Sequence, residues 1–260
     1  LDPSLFQSMM SFIALGADAG DALPHMSSGD ASFSVVVPFY NEEANVRSVL
    51  EELRAALPRA EIVAIDDGSS DRTWRAVSEM TGIRGLRFAE NLGQSAAIYH
   101  GLHACTGEVC GLMDGDGQND PASFWLLLEA FHGGGVDVVC GYREDRHDAW
   151  NRKAASRIAN AIRRAFLHDG IRDTGCSQKV FPRQAVDLLV PFRGLHRYLP
   201  AIFRQAGLRL AEVPVRHRPR LAGTSKYNNW SRARAGAFDL IGVAWLLRRQ
   251  LPRARIQATK

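Results

Sequence analysis

Val109-Cys110-Gly111-Leu112-Met113-Asp114-Gly115-Asp116-Gly117-Gln118-Asn119-Asp120-Pro121 is the stretch whose reading decides the fold. Its first five residues are apolar and read as a buried strand, and Pro121 opens a helical pattern. The acidic cluster therefore falls on the turn at a strand's C-terminal end, where open α/β sheets place their ligands. Two carboxylates one residue apart reach the same hard cation, and Gln118 adds a neutral oxygen. Mg²⁺ takes few carboxylates and shares its other positions between water and substrate phosphates. Asp114, Asp116 and Gln118 thus read as a divalent-metal site holding a diphosphate. The competing reading is a plain polar turn, because Asp and Gly dominate turns for backbone reasons alone.

Working outward, the same rhythm repeats. Strands are expected at 33–38, 61–65, 86–89, 109–113 and 136–141, with helices at 42–57, 70–80, 94–104 and 121–131 between them. Ser69 or Ser70 is the expected cap of the second helix. Alternating strands and helices give an α/β fold, a mostly parallel sheet with helices on both faces. Each strand ends in polar residues: Pro38 to Glu42, Asp66 to Asp71, Asn91 to Gln94, and the acidic turn. Four such ends in a row build a cleft along one edge of the sheet. The chain has no Gly-x-Gly-x-x-Gly after the first strand and no P-loop, so a dinucleotide fingerprint and a Walker-type phosphate cradle are both unsupported.

The 260 residues suffice for one large α/β domain. Cys105, Cys110, Cys140 and Cys176 lack zinc-like spacing; three of them fall in or beside helix or strand patterns, where a free thiol acts as a small buried hydrophobe, and a reduced, cytoplasmic compartment is the simplest reading. Charge is lopsided. Residues 1–142 carry 7 Lys+Arg against 20 Asp+Glu, whereas residues 143–260 carry 25 against 8. An acidic half suits a metal, and a basic half suits phosphates, nucleic acid or an anionic membrane surface. The chain does not begin with Met, and His25-Met26 resembles a cloning junction, so residues 1–30 are set apart as a tag or disordered lead.

Val36-Val37-Pro38-Phe39-Tyr40-Asn41-Glu42-Glu43, Asp66-Asp67-Gly68-Ser69-Ser70-Asp71-Arg72-Thr73, Asn91-Leu92-Gly93-Gln94 and Asp114-Gly115-Asp116-Gly117-Gln118 resemble, in this order, the motifs of family 2 glycosyltransferases with the GT-A (Rossmann-like) fold. Residues 143 onward are similar to the dolichol- and polyprenyl-phosphate sugar synthases of that family. The resemblance implies a catalytic domain over 31–230, with a nucleotide and metal part over 31–142 and an acceptor part over 143–230. It implies that Pro38, Tyr40, Glu42, Asp66, Asp67, Asn91 and Asp114 serve the donor nucleotide, and that Asp114, Asp116 and Gln118 hold Mg²⁺ or Mn²⁺. Helix capping is the structural alternative for Asp66 and Asp67. Relatives often carry a basic residue where this chain has Gln94.

Gly141-Tyr142-Arg143 ends the fifth strand, and 151–167 reads as a helix on which Arg152 and Ser156, four apart, share a face. The family resemblance assigns Arg143, Arg152 and Ser156 to the phosphate of a lipid acceptor, with Asp116, Arg143 and Arg152 as the catalytic set. Arg163 and Arg164 read as a solvated face. Asp173-Thr174-Gly175-Cys176-Ser177 resembles the family's Asp-x-Thr-Ser-Gly-Phe loop in altered form, which brings in Asp173 and Thr174. His196, Arg197 and Arg218, with Ser225 and Lys226 of a Gly-x-Ser-Lys-Tyr loop, are further loop contacts. A strand is expected at 208–215. Residues 231–260 read as a basic amphipathic interfacial helix and tail, whose apolar run at 235–247 is too short to span a bilayer.

The whole implies an inverting transferase moving a sugar from a GDP- or UDP-sugar to a polyprenyl phosphate, peripheral on the cytoplasmic membrane face. Its partners are a nucleotide sugar, a polyprenyl phosphate and the membrane surface, with no nucleic acid; a homo-oligomer stays open. The alternatives are a saccharide acceptor, for which Asp173 is the candidate base, and a non-catalytic basic module binding lipid or nucleic acid.

Overall fold

The structure is a computed structural model that describes residues 32–143, 163–219 and 229–249. Seven strands form one sheet: β1 (Phe33–Phe39), β2 (Glu61–Asp66), β3 (Arg84–Arg87), β4 (Val109–Leu112), β5 (Val138–Arg143), β6 (Lys179–Pro182) and β7 (Leu210–Val215). Among the described residues, six α-helices accompany them: α1 (Val46–Ala56), α2 (Thr73–Ser78), α3 (Gln94–Ala104), α4 (Phe124–His132), α5 (Leu199–Gln205) and α6 (Asn229–Arg248). The strand order is β3-β2-β1-β4-β6-β5-β7. All pairs are parallel except those of β6, which runs antiparallel to β4 and β5.

Strand periodicity sorts the core onto two faces. Val36, Val63 and Ile65 point to one side, under α3, α5 and α6. Val35, Val37, Ile62 and Ala64 point to the other, under α1 and α4. Burying both faces explains why these strands read as continuous apolar runs. The four cysteines are free and buried.

The mostly parallel sheet agrees with the sequence pattern, and the boundaries differ in instructive ways. Residues 42–45 form a turn before α1, in which Asn45 and Val46 both donate to the Glu42 carbonyl. α2 starts at Thr73, because the Asp71 carboxylate accepts from the Thr73 amide at 2.9 Å, while the Ser69 hydroxyl is drawn off to the Asn41 amide at 2.8 Å. Ser69 and Ser70 therefore do not cap it. β3 lies two residues earlier than expected, and Pro121–Ser123 is a 3₁₀ turn ahead of α4. β6 has no counterpart in the sequence reading. Lys179 within it is 2% exposed.

Arg163 corrects a second expectation. It is 7% exposed, ion-paired with Asp169 and bonded to the Ile171 carbonyl, so it is no solvated face residue. Arg164 is exposed as expected. α6 begins six residues before the expected apolar run. Val243, Ala244 and Leu247 enter the core, while Phe238, Ile241 and Trp245 stay exposed. Among the described residues, no helix is long and apolar enough to cross a membrane.

Candidate active site

β1 is flanked by β2 on one side and β4 on the other, so the chain reverses direction across the sheet there. That crevice at the strands' C-terminal ends is the expected ligand position. Three polar strand ends are stitched together around it. Asn41 donates its amide to the Ser69 hydroxyl and accepts from the Ser70 amide, both at 2.8 Å. The Glu42 amide donates to the Thr73 hydroxyl at 2.8 Å. Gly68 allows the second turn to press on the third. It sits at φ +64°, and a Cβ there would lie 2.3 Å from the Glu90 carbonyl carbon.

The two aspartates of the second turn have separate jobs. Asp66 is fully buried, accepts from the Ser69 amide at 3.1 Å and pairs with Arg87 at 3.1 Å. Asp67 accepts from the Leu92 and Gly93 amides at 2.8 and 3.1 Å and from the Asn91 side chain at 3.0 Å. Burial raises its pKa, against the lowering effect of those amide donors. The pair thus holds the second and third strand ends in register, and Asn91 takes part through Asp67. Pro38 lies on β1, while Tyr40 and Glu42 are half-buried on the turn that follows.

The acidic turn is anchored from below and from both sides. The Asp114 amide donates to the Ser177 hydroxyl, and so does the Asn119 side chain, both at 3.1 Å. Gln94, at the start of α3, donates to the Asp114 carboxylate at 2.8 Å. Gln94 thus occupies the expected basic position and supplies a neutral donor to the acidic turn. The Gln118 amide donates to Asp116 at 3.2 Å, and the Gln118 side-chain nitrogen reaches the Arg218 carbonyl at 3.4 Å. Burial, and next the charge of Asp116, push the Asp114 carboxyl up to about 6, with Lys179, Ser177 and Arg143 pulling the other way. Two half-buried carboxylates that repel each other, beside an amide, form a donor set that fits a divalent cation sharing its shell with phosphate oxygens and water. Among the described residues, no group of three or more His, Cys, Asp or Glu side chains is placed to hold a metal alone.

Arg143 ends β5, two strands away from β4. Its Nε and Nη2 donate to the two oxygens of Asp173 at 2.7 and 2.9 Å, a bidentate pair. Burial works against the cation, yet the Asp173 bonds and charge outweigh it, and the pKa of Arg143 is raised. β5 runs in the same direction as β4 in this sheet, so Arg143 and the acidic turn lie at the same end of it.

The remaining candidates surround it. Thr174 is half-buried beside the Arg143–Asp173 pair. His196 meets the Ser95 hydroxyl at 2.9 Å, one residue from Gln94. Arg197 lies near Asp239 of α6 and lowers its carboxyl pKa, although burial raises that pKa more. Arg218 turns its guanidinium to Glu52 at 2.7 Å and Asp120 at 3.1 Å, while its amide donates to the Gln118 carbonyl at 2.7 Å. It locks the acidic turn from outside. Arg152, Ser156, Ser225 and Lys226 lie outside the described residues, as does the lead at 1–30. The sequence reading missed Asn119, Ser177 and Lys179. Only Ser177 had a visible signal, as one of the two residues, with Cys176, that depart from the usual order of the 173–177 loop.

The family model described as "Glycosyl transferase family 2" matches residues 34–189, from β1 through the acidic turn to the end of β6 and just beyond. The chain belongs to glycosyl transferase family 2. Within curated relatives of this family, it is 32% identical over 203 residues to the undecaprenyl-phosphate 4-deoxy-4-formamido-L-arabinose transferase of Edwardsiella ictaluri, covering 75% of this chain and 62% of the relative. It is 33% identical over 229 residues to the dodecaprenyl-phosphate galacturonate synthase of Rhizobium johnstonii, covering 83% and 67%. The chain thus spans about 62% of the length of the first of these relatives.

Solved structures share the fold. Glucosyl-3-phosphoglycerate synthase of Mycobacterium tuberculosis, in a complex with Mn²⁺, uridine diphosphate and glucosyl-3-phosphoglycerate, matches at TM-score 0.64 and 20% identity over 93% of this chain and 90% of that one. Mannosyl-3-phosphoglycerate synthase of Rubrobacter xylanophilus matches at 0.67 and 16% identity, over 88% and 79%. These likenesses establish the GT-A-type sheet and carry nothing about ligands into this chain.

Proposed function

We propose that this chain is the catalytic part of a metal-dependent, inverting glycosyltransferase that moves a sugar from a nucleotide diphosphate donor to a polyprenyl phosphate. One observation carries the reading: the carboxylates of the acidic turn and a guanidinium held by Asp173 lie at the same end of the same sheet. The two curated relatives, named for prenyl phosphate substrates, point the same way.

Asp114, Asp116 and Gln118 would hold Mg²⁺ or Mn²⁺. When bound, the cation offsets the charge that develops on the departing nucleoside diphosphate. The strand ends at Pro38, Tyr40, Glu42, Asp66, Asp67 and Asn91 form the nucleoside side of the cleft. The acceptor needs little activation. A phosphomonoester's second pKa is about 6, so near neutral pH it is already largely a dianion. It needs a partner that fixes one oxygen against the sugar carbon, and Arg143 is that partner, with Arg152 and Ser156 proposed beside it. In one displacement, the phosphate oxygen bonds to the anomeric carbon as the bond to the diphosphate breaks, which inverts that carbon. Asp173 gives both its oxygens to Arg143, which counts against its acting as the free base a saccharide acceptor would need.

Membrane association is proposed to run through α6. Phe238, Ile241 and Trp245, spaced three and four apart, form an exposed apolar stripe that ends at Arg248 and Arg249. A cytoplasmic-face location belongs to the same proposal. The testing experiment is incubation with undecaprenyl phosphate and a panel of GDP- and UDP-sugars, with Mn²⁺ or with EDTA. The expected result is a lipid-linked sugar formed only with metal. Transfer to free saccharides and not to the lipid phosphate, or transfer that survives EDTA, would overturn the reading.

A further inference from the structure

Gly175 stands against the Arg143–Asp173 pair, and its backbone gives no reason for glycine. Its φ is outside the left-handed region that several other glycines of this chain occupy. A side chain at 175 is therefore compatible with the backbone. What it would meet is the site. A Cβ at 175 would lie 2.8 Å from Nη2 of Arg143 and 3.3 Å from Oδ1 of Asp173. Gly175 is exposed, so the space it leaves open reaches solvent, and its own amide donates to Asp173 at 3.2 Å.

Guanidinium chemistry gives that space a meaning. The group has two edges able to grip an oxyanion with two parallel hydrogen bonds. Asp173 takes the side edge, through Nε and Nη2. The end edge, Nη1 and the second hydrogen of Nη2, meets no acceptor among the described residues. Asp173 also accepts from the Arg143 amide at 3.3 Å, so it fixes both the root and the tip of the side chain.

We propose that Gly175 is a specificity-determining position and Asp173 a positioning residue. Asp173 sets the guanidinium, and the missing side chain at 175 keeps its end edge open to a phosphomonoester. This rests on the reading of Arg143 as the acceptor's partner, and deepens it by naming what aims that arginine. A methyl group at 175 would push the flexible tip of Arg143 aside and leave the fold intact. Replacing Gly by Ala where the backbone allows it stiffens the unfolded chain, which offsets part of what loosening the Arg143–Asp173 pair costs. A phosphate site lost while the rest of the protein stays folded is a signature that a structural glycine cannot give.

The test uses farnesyl phosphate as probe, titrated calorimetrically against the full chain, with farnesol as the uncharged control and Mn²⁺ with UDP or GDP as a readout of the other pocket. Gly175→Ala is expected to weaken farnesyl phosphate binding by roughly ten- to a hundredfold, the scale of one charge-assisted bond. Its melting temperature should fall no further than that of Arg143→Ala, and nucleotide affinity should stay within about twofold. Asp173→Asn should weaken the same probe, and Asp173→Glu should restore part of the loss. If Arg143→Ala weakens farnesyl phosphate but Gly175→Ala does not, this inference is wrong while the acceptor reading stands. If Arg143→Ala has no effect on a probe that wild type binds, or if wild type binds farnesol as well as its phosphate, both are wrong.

Discussion

The two sides of the sheet hold their carboxylates by different means. On the β1–β4 side, Asp67 takes two backbone amides and an asparagine, Asp114 takes a glutamine, and Asp116 takes the Gln118 amide. Asp66 with Arg87, Glu61 with Arg84 and Asp120 with Arg218 are ion-paired exceptions on this side. On the β5–β7 side, carboxylates meet arginines: Asp173 with Arg143, Asp169 with Arg163, Glu212 with Arg172 and Asp137 with Arg209. Neutral donors fix a carboxylate without cancelling its charge, so the first side keeps net negative potential for a cation. Arginine pairs cancel, and only edges left over from pairing remain for an anion. Under the proposed function, the charge asymmetry of the sequence is an arrangement of two sites.

The largest effect should come from breaking an arginine pair. Asp169→Ala leaves Arg163 buried without its counter-ion, which should cost about 3–5 kcal/mol. Replacing both partners by apolar residues should cost much less. A chemical denaturation series that found the single and double variants equal would show that the pairing is not what holds this loop.

On the other side, removing a charge should stabilise. The folded Asp114 carboxyl titrates near 6, above its ordinary 3.8, so its contribution is intact below about pH 4 and lost as pH rises through 6. Asp114→Asn should therefore raise stability in EDTA at pH 8 by roughly 2–3 kcal/mol, and by little at pH 4. An equal gain at both pH values would mean that the charge is not the cause. The smallest effect belongs to a neutral bond. Asn91→Ala should cost about 1 kcal/mol, and a much larger loss would mean that Asn91 does more than brace Asp67.

How legible the molecule is follows the same division. The strands of the β1–β4 side announce themselves as apolar runs, and their ends as polar clusters, because both rules are local. β6 escaped because four residues with a lysine carry no periodicity, and because an antiparallel insertion is fixed by partners far away in sequence: Leu112 and Cys140 face Lys179 across it. Arg163 was misread for a related reason. Only the Asp169 loop folding back makes its face an interior. The acidic turn was readable as a motif. Its contact with Gln94, and the Asp173 grip on Arg143, depend on strand ends brought together by the sheet.

The central claim is that one end of one sheet holds a cation-dependent nucleotide pocket and a separate phosphate pocket. Two variants measured against two ligands test it most directly. Titrate Mn²⁺ with the donor nucleotide, and separately undecaprenyl phosphate, against wild type, Asp116→Asn and Arg143→Ala. The account predicts that Asp116→Asn loses roughly a hundredfold or more in metal–nucleotide affinity and keeps the lipid phosphate, while Arg143→Ala loses roughly ten- to a hundredfold in lipid phosphate affinity and keeps the nucleotide. Loss of both ligands in each variant, or the reverse assignment, would contradict it.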